Sequence, residues 1–115
     1  MLNSDSLLWE TVETGGNQPP PRANHSSAVL GNKIFIFGGW DGSKRLNDLH
    51  LLDIGIVILL NFIENKTWTE IKANSEVPSP RAGMTLSAVK DRLYLFGGSG
   101  PSATCFFDLH LFNYS

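Results

Sequence analysis

Three histidines, His25, His50 and His110, are the side chains of this sequence that first suggest metal chemistry. A metal site needs ligands that converge on one point. His50 and His110, however, occupy equivalent places in two copies of one sequence pattern, and equivalent residues of a repeat lie a whole repeat apart. We therefore expect strand histidines with structural roles and predict no metal site.

The nucleophilic side chains give no catalytic pattern either. Ser26 and Ser27 directly follow His25, but no third group is placed to orient the histidine, and the Gly-X-Ser-X-Gly turn of hydrolases is absent. Cys105 lies beside a loop with no basic neighbour to activate its thiol. The sequence therefore predicts no nucleophilic enzyme.

Carboxylates and glycine-rich segments complete the search for a reactive centre. Asp48 and Asp108 are again equivalent residues, for which capping of a loop is a better prediction than acid–base chemistry. The segments 39–42 and 98–100 lack the residues that complete a phosphate-binding motif. We predict no cofactor and no enzymatic activity.

Composition narrows the possible partners of these 115 residues. The net charge is −2 and the basic residues form no run, which argues against binding to nucleic acid. No apolar run approaches the roughly 20 residues of a membrane span. A single cysteine and the absence of a secretory signal at the start predict a cytoplasmic or nuclear location.

Four sequence landmarks occur twice in the same order. Pro-Arg-Ala begins at positions 21 and 80, and a double glycine follows at 38–39 and 97–98, so the offset is 59 residues. Asp-Leu-His-Leu begins at positions 48 and 108, an offset of 60, and Trp68 matches Trp9 at an offset of 59. A repeat of this length is typical of units that bury their faces by stacking on one another.

Each unit contains short apolar runs separated by turn residues, which predicts an all-β fold. The segments Leu8–Glu13 and Thr67–Lys72 are predicted as the outer strands of a preceding and of the first unit. Loops are expected at 39–43 and 98–105. The other predicted strands are His25–Leu30, Lys33–Gly38 and Asp48–Ile54 in the first unit, and Met84–Val89, Arg92–Gly97 and Phe106–Phe112 in the second.

The second strands, 34–37 and 93–96, are apolar at successive positions, so both of their faces should be covered. Four-stranded sheets buried on both faces and repeated in tandem are the blades of a β-propeller. The predicted fold is a partial β-propeller of about two four-stranded antiparallel blades.

These residues resemble the kelch repeat, in which a double glycine ends the second strand and a tryptophan lies on the fourth. Gly38, Gly39, Gly97 and Gly98 match the glycines, and Trp9 and Trp68 match the tryptophan. The Pro-Arg and Asp-Leu-His motifs are similar to those of Rab-effector and host-cell-factor-like kelch proteins. The resemblance divides the chain into 1–24 (outer strand of a preceding blade plus a loop), 25–72 (first repeat) and 73–115 (second repeat, without its outer strand).

The first repeat departs from the kelch pattern by an uncharged apolar insert, residues 55–63. Its removal reduces the offset from 59 to 50 residues, about the usual kelch period. We favour an unspliced or wrongly predicted segment. The alternatives are an extension of the third and fourth strands, and a tongue that binds a membrane or a partner.

The number of repeats is the second departure. Closed propellers have about four to eight blades, whereas this sequence has strands for two. We expect a piece of a longer protein, with self-association through open blade edges as the alternative.

Binding residues are predicted on the loops. In an antiparallel blade the loops that join strands two to three and four to one emerge on one face, here 15–24, 40–47, 74–83 and 99–104. The candidate partner-binding residues are Trp40, Asp41, Lys44, Arg45, Arg22, Arg81 and Ser99. Tryptophan and arginine are enriched at interface hot spots. Arg22 and Arg81 have an alternative role as ties between blades.

The kelch resemblance implies a non-enzymatic module that binds protein partners through this loop face, as in an adaptor or scaffold. The alternative is a fragment of a kelch-containing enzyme, or of a ubiquitin-ligase substrate adaptor, whose other domains lie outside this sequence.

Overall fold

The computed structural model describes residues 7–58 and 61–114 of the chain, which form two sheets that are antiparallel except for the short β1. The first sheet has the order β1-β5-β4-β3-β2 and the second the order β6-β7-β8. The strands are β1 Gly15–Gly16, β2 Ser26–Leu30, β3 Lys33–Trp40, β4 Arg45–Ile58, β5 Asn61–Ile71, β6 Thr85–Val89, β7 Arg92–Phe96 and β8 Leu109–Asn113.

Strands β2 to β5 form the first blade and β6 to β8 form the second. Each blade opens with a tight hairpin, in which Leu30 pairs with Lys33 and Val89 pairs with Arg92. Gly31 and Lys90 in these turns have φ of 59° and 57°, the left-handed conformation that two-residue hairpin turns require. The two blades of a partial propeller are thus confirmed, the second with three strands.

The predicted outer strand Leu8–Glu13 is absent, and this part of the prediction is wrong. Residues 7–14 form no regular strand and are largely exposed. Only Gly15 and Gly16 pair, in parallel, with Thr67 and Trp68 of β5. A strand needs a neighbour to satisfy its backbone groups, and among the described residues none lies beside 8–13.

The boundary between the second strand and the following loop also differs from the prediction. Strand β3 continues through both glycines to Trp40 instead of ending at Gly38. The N–H of Trp40 donates to the carbonyl of Ala23 (2.7 Å), and the N–H of Ala23 donates to the carbonyl of Trp40 (2.8 Å). The predicted loop is therefore shortened to residues 41–44, because the chain entering the blade pairs with this strand end.

The apolar insert lies within the two longest strands. Gly55 pairs with Glu64, and Ile56, Val57 and Ile58 pair with Ile63, Phe62 and Asn61. The register shifts by one between Asp53 and Gly55, which is a β-bulge. The insert thus extends the third and fourth strands, as one of the alternatives above predicted, and its origin as an unspliced or wrongly predicted segment stays a prediction.

The hydrophobic core lies between the blades. Phe35, Leu51 and Ala28 of the first blade pack against Leu93 of the second. A second cluster joins Phe37 to Met84 and Leu95. Burying a large side chain such as Phe35 or Leu93 contributes about 1.5–3 kcal/mol, so packing of one blade on the other stabilises the fold.

The far face of the second blade shows the same positions without a cover. Phe37, which faces the second blade, is 5% exposed, whereas its repeat equivalent Phe96 is 49% exposed. Leu51 is buried, but the equivalent Leu111 is exposed. Both blades therefore carry apolar residues on the face that would pack against a following blade. In the described residues, only the first blade has such a neighbour.

The double glycine is required by the joint between the blades. Gly38 and Gly39 have φ of 66° and 106°, a region that residues with a Cβ rarely adopt. A Cβ on Gly38 would lie 2.9 Å from the carbonyl oxygen of Arg81, in the chain that enters the second blade. Gly38 thus allows a close approach between the backbones of the two blades.

Candidate interaction surface

The four long connections meet at one end of the blades, as their strand directions require. Leu46 pairs with Arg81, Ala82 with Ser99, and the N–H of Gly83 donates to the carbonyl of Asn24 (2.8 Å). The Asn47 side-chain amide donates to the carbonyl of Pro78 (3.1 Å). We call the residues 15–24, 40–47, 74–83 and 99–104 the loop surface.

Trp40 and Arg45 form a pair at the neck of the 41–44 loop. They are cross-strand partners, and the Arg45 guanidinium carbon lies 5.5 Å from the centroid of the Trp40 ring. Both side chains are half-buried. The Nε of Arg45 is buried and has no hydrogen-bond partner among the described residues. An unpaired buried donor costs about 1–3 kcal/mol, so the Arg45 guanidinium has hydrogen-bonding capacity that the described residues leave unused.

Asp41 shapes the tip of this loop. Its Oδ1 accepts the backbone N–H groups of Ser43 and Lys44, both at 2.8 Å. These hydrogen bonds lower the pKa of the Asp41 carboxyl. They also hold the turn that places the exposed Lys44 beside Arg45, so Asp41 positions the basic residues and Lys44 is free to meet a partner.

Arg22 is buried within the first blade. Its side chain is 3% exposed and binds both carboxylate oxygens of Asp48, at 2.6 and 2.9 Å. It also donates to the carbonyl of Gly38. The binding role proposed for Arg22 finds no free surface in this structure, because its donors are used internally.

Arg81 repeats this arrangement in the second blade. It is 0% exposed, binds both oxygens of Asp108 at 2.6 and 2.9 Å, and donates to the carbonyl of Gly97. Its guanidinium carbon lies 4.0 Å from the Phe106 ring centroid. Its backbone N–H donates to the carbonyl of Leu46 in the first blade. The Arg81 side chain is thus buried within the second blade rather than at a free surface, and only its backbone bonds to the first blade.

Ser99 is the repeat equivalent of Trp40 and is also used internally. Its backbone pairs with Ala82 in both directions, and its hydroxyl donates to the carbonyl of Ala82 (3.3 Å). On the loop surface the exposed or half-exposed candidates with unused donor capacity are therefore Lys44 and Arg45, beside Trp40.

Asp48, His50 and Glu70 bring potential metal-ligand atoms within 4.8 Å of one another. Both oxygens of Asp48 are, however, already bound by the Arg22 guanidinium, and Oδ2 also lies 2.8 Å from His50 Nε2. The guanidinium of Arg22, a permanent cation 2.6 Å from Asp48 Oδ1, would repel a metal ion bound to the same carboxylate. An ion-pair network accounts for this cluster.

The same network shows what sequence reasoning missed. Asp48 and Asp108 were expected to cap a loop, and that expectation is wrong: both accept bidentate hydrogen bonds from an arginine. His50 and His110 each lie 2.8 Å from the neighbouring aspartate. The repeated Arg and Asp, 26 residues apart in one copy and 27 in the other, were the signal that could have revealed the pairs.

We predict that acid destabilises the fold through these aspartates. Burial would raise the pKa of Asp48, but hydrogen bonds from Arg22 and His50 lower it to about 2, and Arg81 lowers the pKa of Asp108 further. These carboxylates therefore bind protons near pH 4 in the unfolded chain, but only at a lower pH in the folded chain. About 2 kcal/mol from Asp48 should be lost between about pH 5 and pH 2. Urea unfolding across this range measures it.

The aspartate-to-asparagine variants are the control for this pH dependence. Asp48→Asn should be less stable at pH 7 and should lose less stability on acidification than the unmodified chain. An equally steep loss in Asp48→Asn and Asp108→Asn would show that other carboxylates control the acid response.

Two packed blades, of four strands (β2 to β5) and three strands (β6 to β8), with a double glycine at the joint define a class of protein, the β-propellers, of which this chain forms two blades. The sequence model of the KLHDC2/KLHL20/DRC7 Kelch-repeats domain matches residues 1–115. The chain belongs to the kelch-repeat family. Domains of this family are generally protein-interaction modules. No helix among the described residues is long and apolar enough to cross a membrane.

Individual relatives agree with this family. The chain is 43% identical to Kelch domain-containing protein 1 of Mus musculus over 85% of its length, and that match covers 23% of the relative. It is 33% identical to the Rab9 effector protein with kelch motifs of Bos taurus (85% and 25%) and 32% identical to Host cell factor of Drosophila melanogaster (85% and 7%). The chain thus spans a quarter or less of these relatives.

Proposed function

We propose that this chain binds a protein partner through the loop surface, as an adaptor or scaffold would, and that it contributes no catalytic group. The observation that supports this most is the half-buried Trp40–Arg45 pair next to the exposed Lys44. A flat aromatic side chain beside two cations suits an acidic segment of a partner, whose carboxylate would accept from Arg45.

Electrostatics near this pair favour the same partner. Arg22 and Arg81 are neutralised by Asp48 and Asp108, whereas Lys44 and Arg45 form no ion pair among those found in the described part of the chain. The net positive charge at the loop tip contrasts with the overall charge of −2. Binding should therefore weaken as salt is added.

We further propose that the partner is met in the cytoplasm or nucleus. Cys105 is exposed and unpaired, a state that persists in reducing compartments. Imaging of the tagged chain tests this, and delivery to the secretory pathway would contradict it.

Removal of the tryptophan should weaken partner binding strongly. Trp40→Ala deletes the aromatic side chain that Arg45 rests on, and truncation of a hot-spot tryptophan costs 2 kcal/mol or more, about a 30-fold loss of affinity. The measurement is quantitative mass spectrometry of proteins captured by the purified chain from an extract of its source cells, followed by titration of each purified candidate.

Lys90→Ala is the matched control, because Lys90 is exposed on a hairpin turn at the opposite end of the strands. A genuine partner binds Lys90→Ala normally, loses affinity for Trp40→Ala and Lys44→Ala, and is released by salt. Proteins that bind Trp40→Ala and the unmodified chain equally would overturn the assignment of the loop surface.

A further inference from the structure

Among the described residues, the segment 8–13 and the outer edge of β8 have no neighbouring strand. Trp9 is 102% exposed, and Leu8 and Val12 are exposed as well. Strand β8 pairs with β7 on one side, and on its other side no strand lies among the described residues. An open strand edge can pair with an exposed apolar segment of another chain, which satisfies the backbone groups of both.

The repeat offsets specify how they would pair. In the first blade Leu52 of β4 is opposite Trp68 of β5. The offset of 60 carries Leu52 to Phe112 in β8, and the offset of 59 carries Trp68 back to Trp9. The register of the complete blade therefore places Trp9 opposite Phe112.

The same two offsets place a second pair of apolar residues opposite each other. Leu49 is opposite Ile71 in the first blade, and the offsets carry these residues to Leu109 and Val12. Ile71 packs against the core between the blades. Val12 preserves the β-branched apolar side chain at this position, so the segment has the pattern of an outer strand and not only its tryptophan.

A cavity between the blades lies where the side chains of the added strand would go. Its volume is about 350 Å³, and it is lined by Phe112 and His110 of β8 together with Ile71 and the connection at Val77. Directly opposed residues of an antiparallel pair project from the same face. Opposite Phe112, the Trp9 ring would lie on the cavity side and cover its apolar lining.

Within one molecule the segment starts on the wrong blade. Gly15 and Gly16 are paired with Thr67 and Trp68 on the outer edge of the first blade. Residues 8–13 therefore extend from the first blade and do not start beside β8. A second copy has no such restriction.

We propose that copies of this chain associate head to tail, with residues 8–13 of one copy added to β8 of the next as the fourth strand of its second blade. Strand addition supplies backbone hydrogen bonds, and Trp9 and Val12 supply the side-chain fit. The contact is heterologous, so it generates rings or open chains of copies. This association is independent of the loop surface.

Cysteine cross-linking between two differently labelled chains tests the register. In a Cys105→Ser background, Glu10→Cys is mixed with Leu111→Cys, which the repeat places opposite each other. The control mixture pairs Glu10→Cys with Leu109→Cys, two residues away along the same face. We expect a disulfide-linked heterodimer in the first mixture in roughly ten-fold excess over the second, because only directly opposed residues fit disulfide geometry.

Light scattering after size exclusion tests the association itself. The mass of the unmodified chain should rise to multiples of the monomer as concentration increases. Trp9→Ala should weaken the association about 30-fold, without loss of the monomer fold, because Trp9 has no contact to lose. Leu7→Ala, which is equally exposed and lies outside 8–13, should leave it unchanged. A monomer at every concentration, an association indifferent to Trp9→Ala, or equal cross-linking in both mixtures would overturn the proposal.

Discussion

Arg81→Ala is expected to lower the free energy of unfolding by about 3 kcal/mol, enough to shift the midpoint of thermal unfolding down by roughly 10 °C or more. Arg81 is wholly buried and donates to Asp108, Gly97 and Ser79, and each acceptor loses a donor at once. The loss is at the lower end for buried ion pairs because Asp108 keeps some contact with water. Thermal unfolding followed by circular dichroism measures it.

Two further variants separate the causes of this loss. Arg81→Lys retains the charge but not the two parallel hydrogen bonds, so it should recover only part of the stability. Arg92→Ala removes an exposed arginine whose nearest carboxylate, on Asp91, is 4.0 Å away, and should change stability by no more than about 0.5 kcal/mol. If Arg81→Ala unfolds at the same temperature as Arg92→Ala, the buried Arg81–Asp108 pair has no energetic importance.

Gly38→Ala is expected to cost about 3 kcal/mol or more. The residue has a φ of 66°, which costs a residue with a Cβ about 1–3 kcal/mol. The new methyl group would also lie 2.9 Å from the Arg81 carbonyl oxygen and 2.8 Å from the Met84 methyl carbon. Overpacking of this kind adds about 1–3 kcal/mol.

Gly97→Ala provides the matched control within the same chain. Gly97 has nearly the same φ, 72°, but a Cβ there would meet only the Phe106 carbonyl oxygen at 3.4 Å. It should therefore cost the conformational strain alone. Urea unfolding of both variants at low concentration gives the difference, which reports the close approach of the blades. An equal or larger loss in Gly97→Ala would contradict this account.

The sequence predicted the parts of the fold that local chemistry determines. Double glycines, paired turn residues and apolar runs such as 34–37 indicated the inner strands of both blades, because each pattern has one favourable local conformation. The strand Leu8–Glu13 was wrong for a physical reason: its composition suits a strand, but a strand forms only beside a partner.

The candidate site could be predicted less well. The loops were predicted to meet at one end, since strand direction alternates, and the structure brings them together. The burial of Arg22 and Arg81 could not be deduced from composition or from the neighbouring residues. A Pro-Arg pair does not by itself show whether the arginine side chain binds an aspartate elsewhere in the fold. The unpartnered Nε of Arg45 depends on packing around Trp40, which no spacing in the sequence encodes.

The bulge beside Asp53 explains how a blade tolerates a change in its length. A hairpin lengthens by residues added in pairs, one to each strand, whereas the insert has nine residues, an odd number. At the bulge Ile54 alone faces Asn65 and Lys66, and Lys66 adopts the left-handed φ of 48° that accommodates the extra residue. The parity mismatch is thus absorbed at one point, and the pairing of Asp53 with Thr67 and of every residue nearer the core keeps its register. Insertions at this site change the length of the hairpin that projects from the blade, and they leave the strand pairing within the blade unchanged.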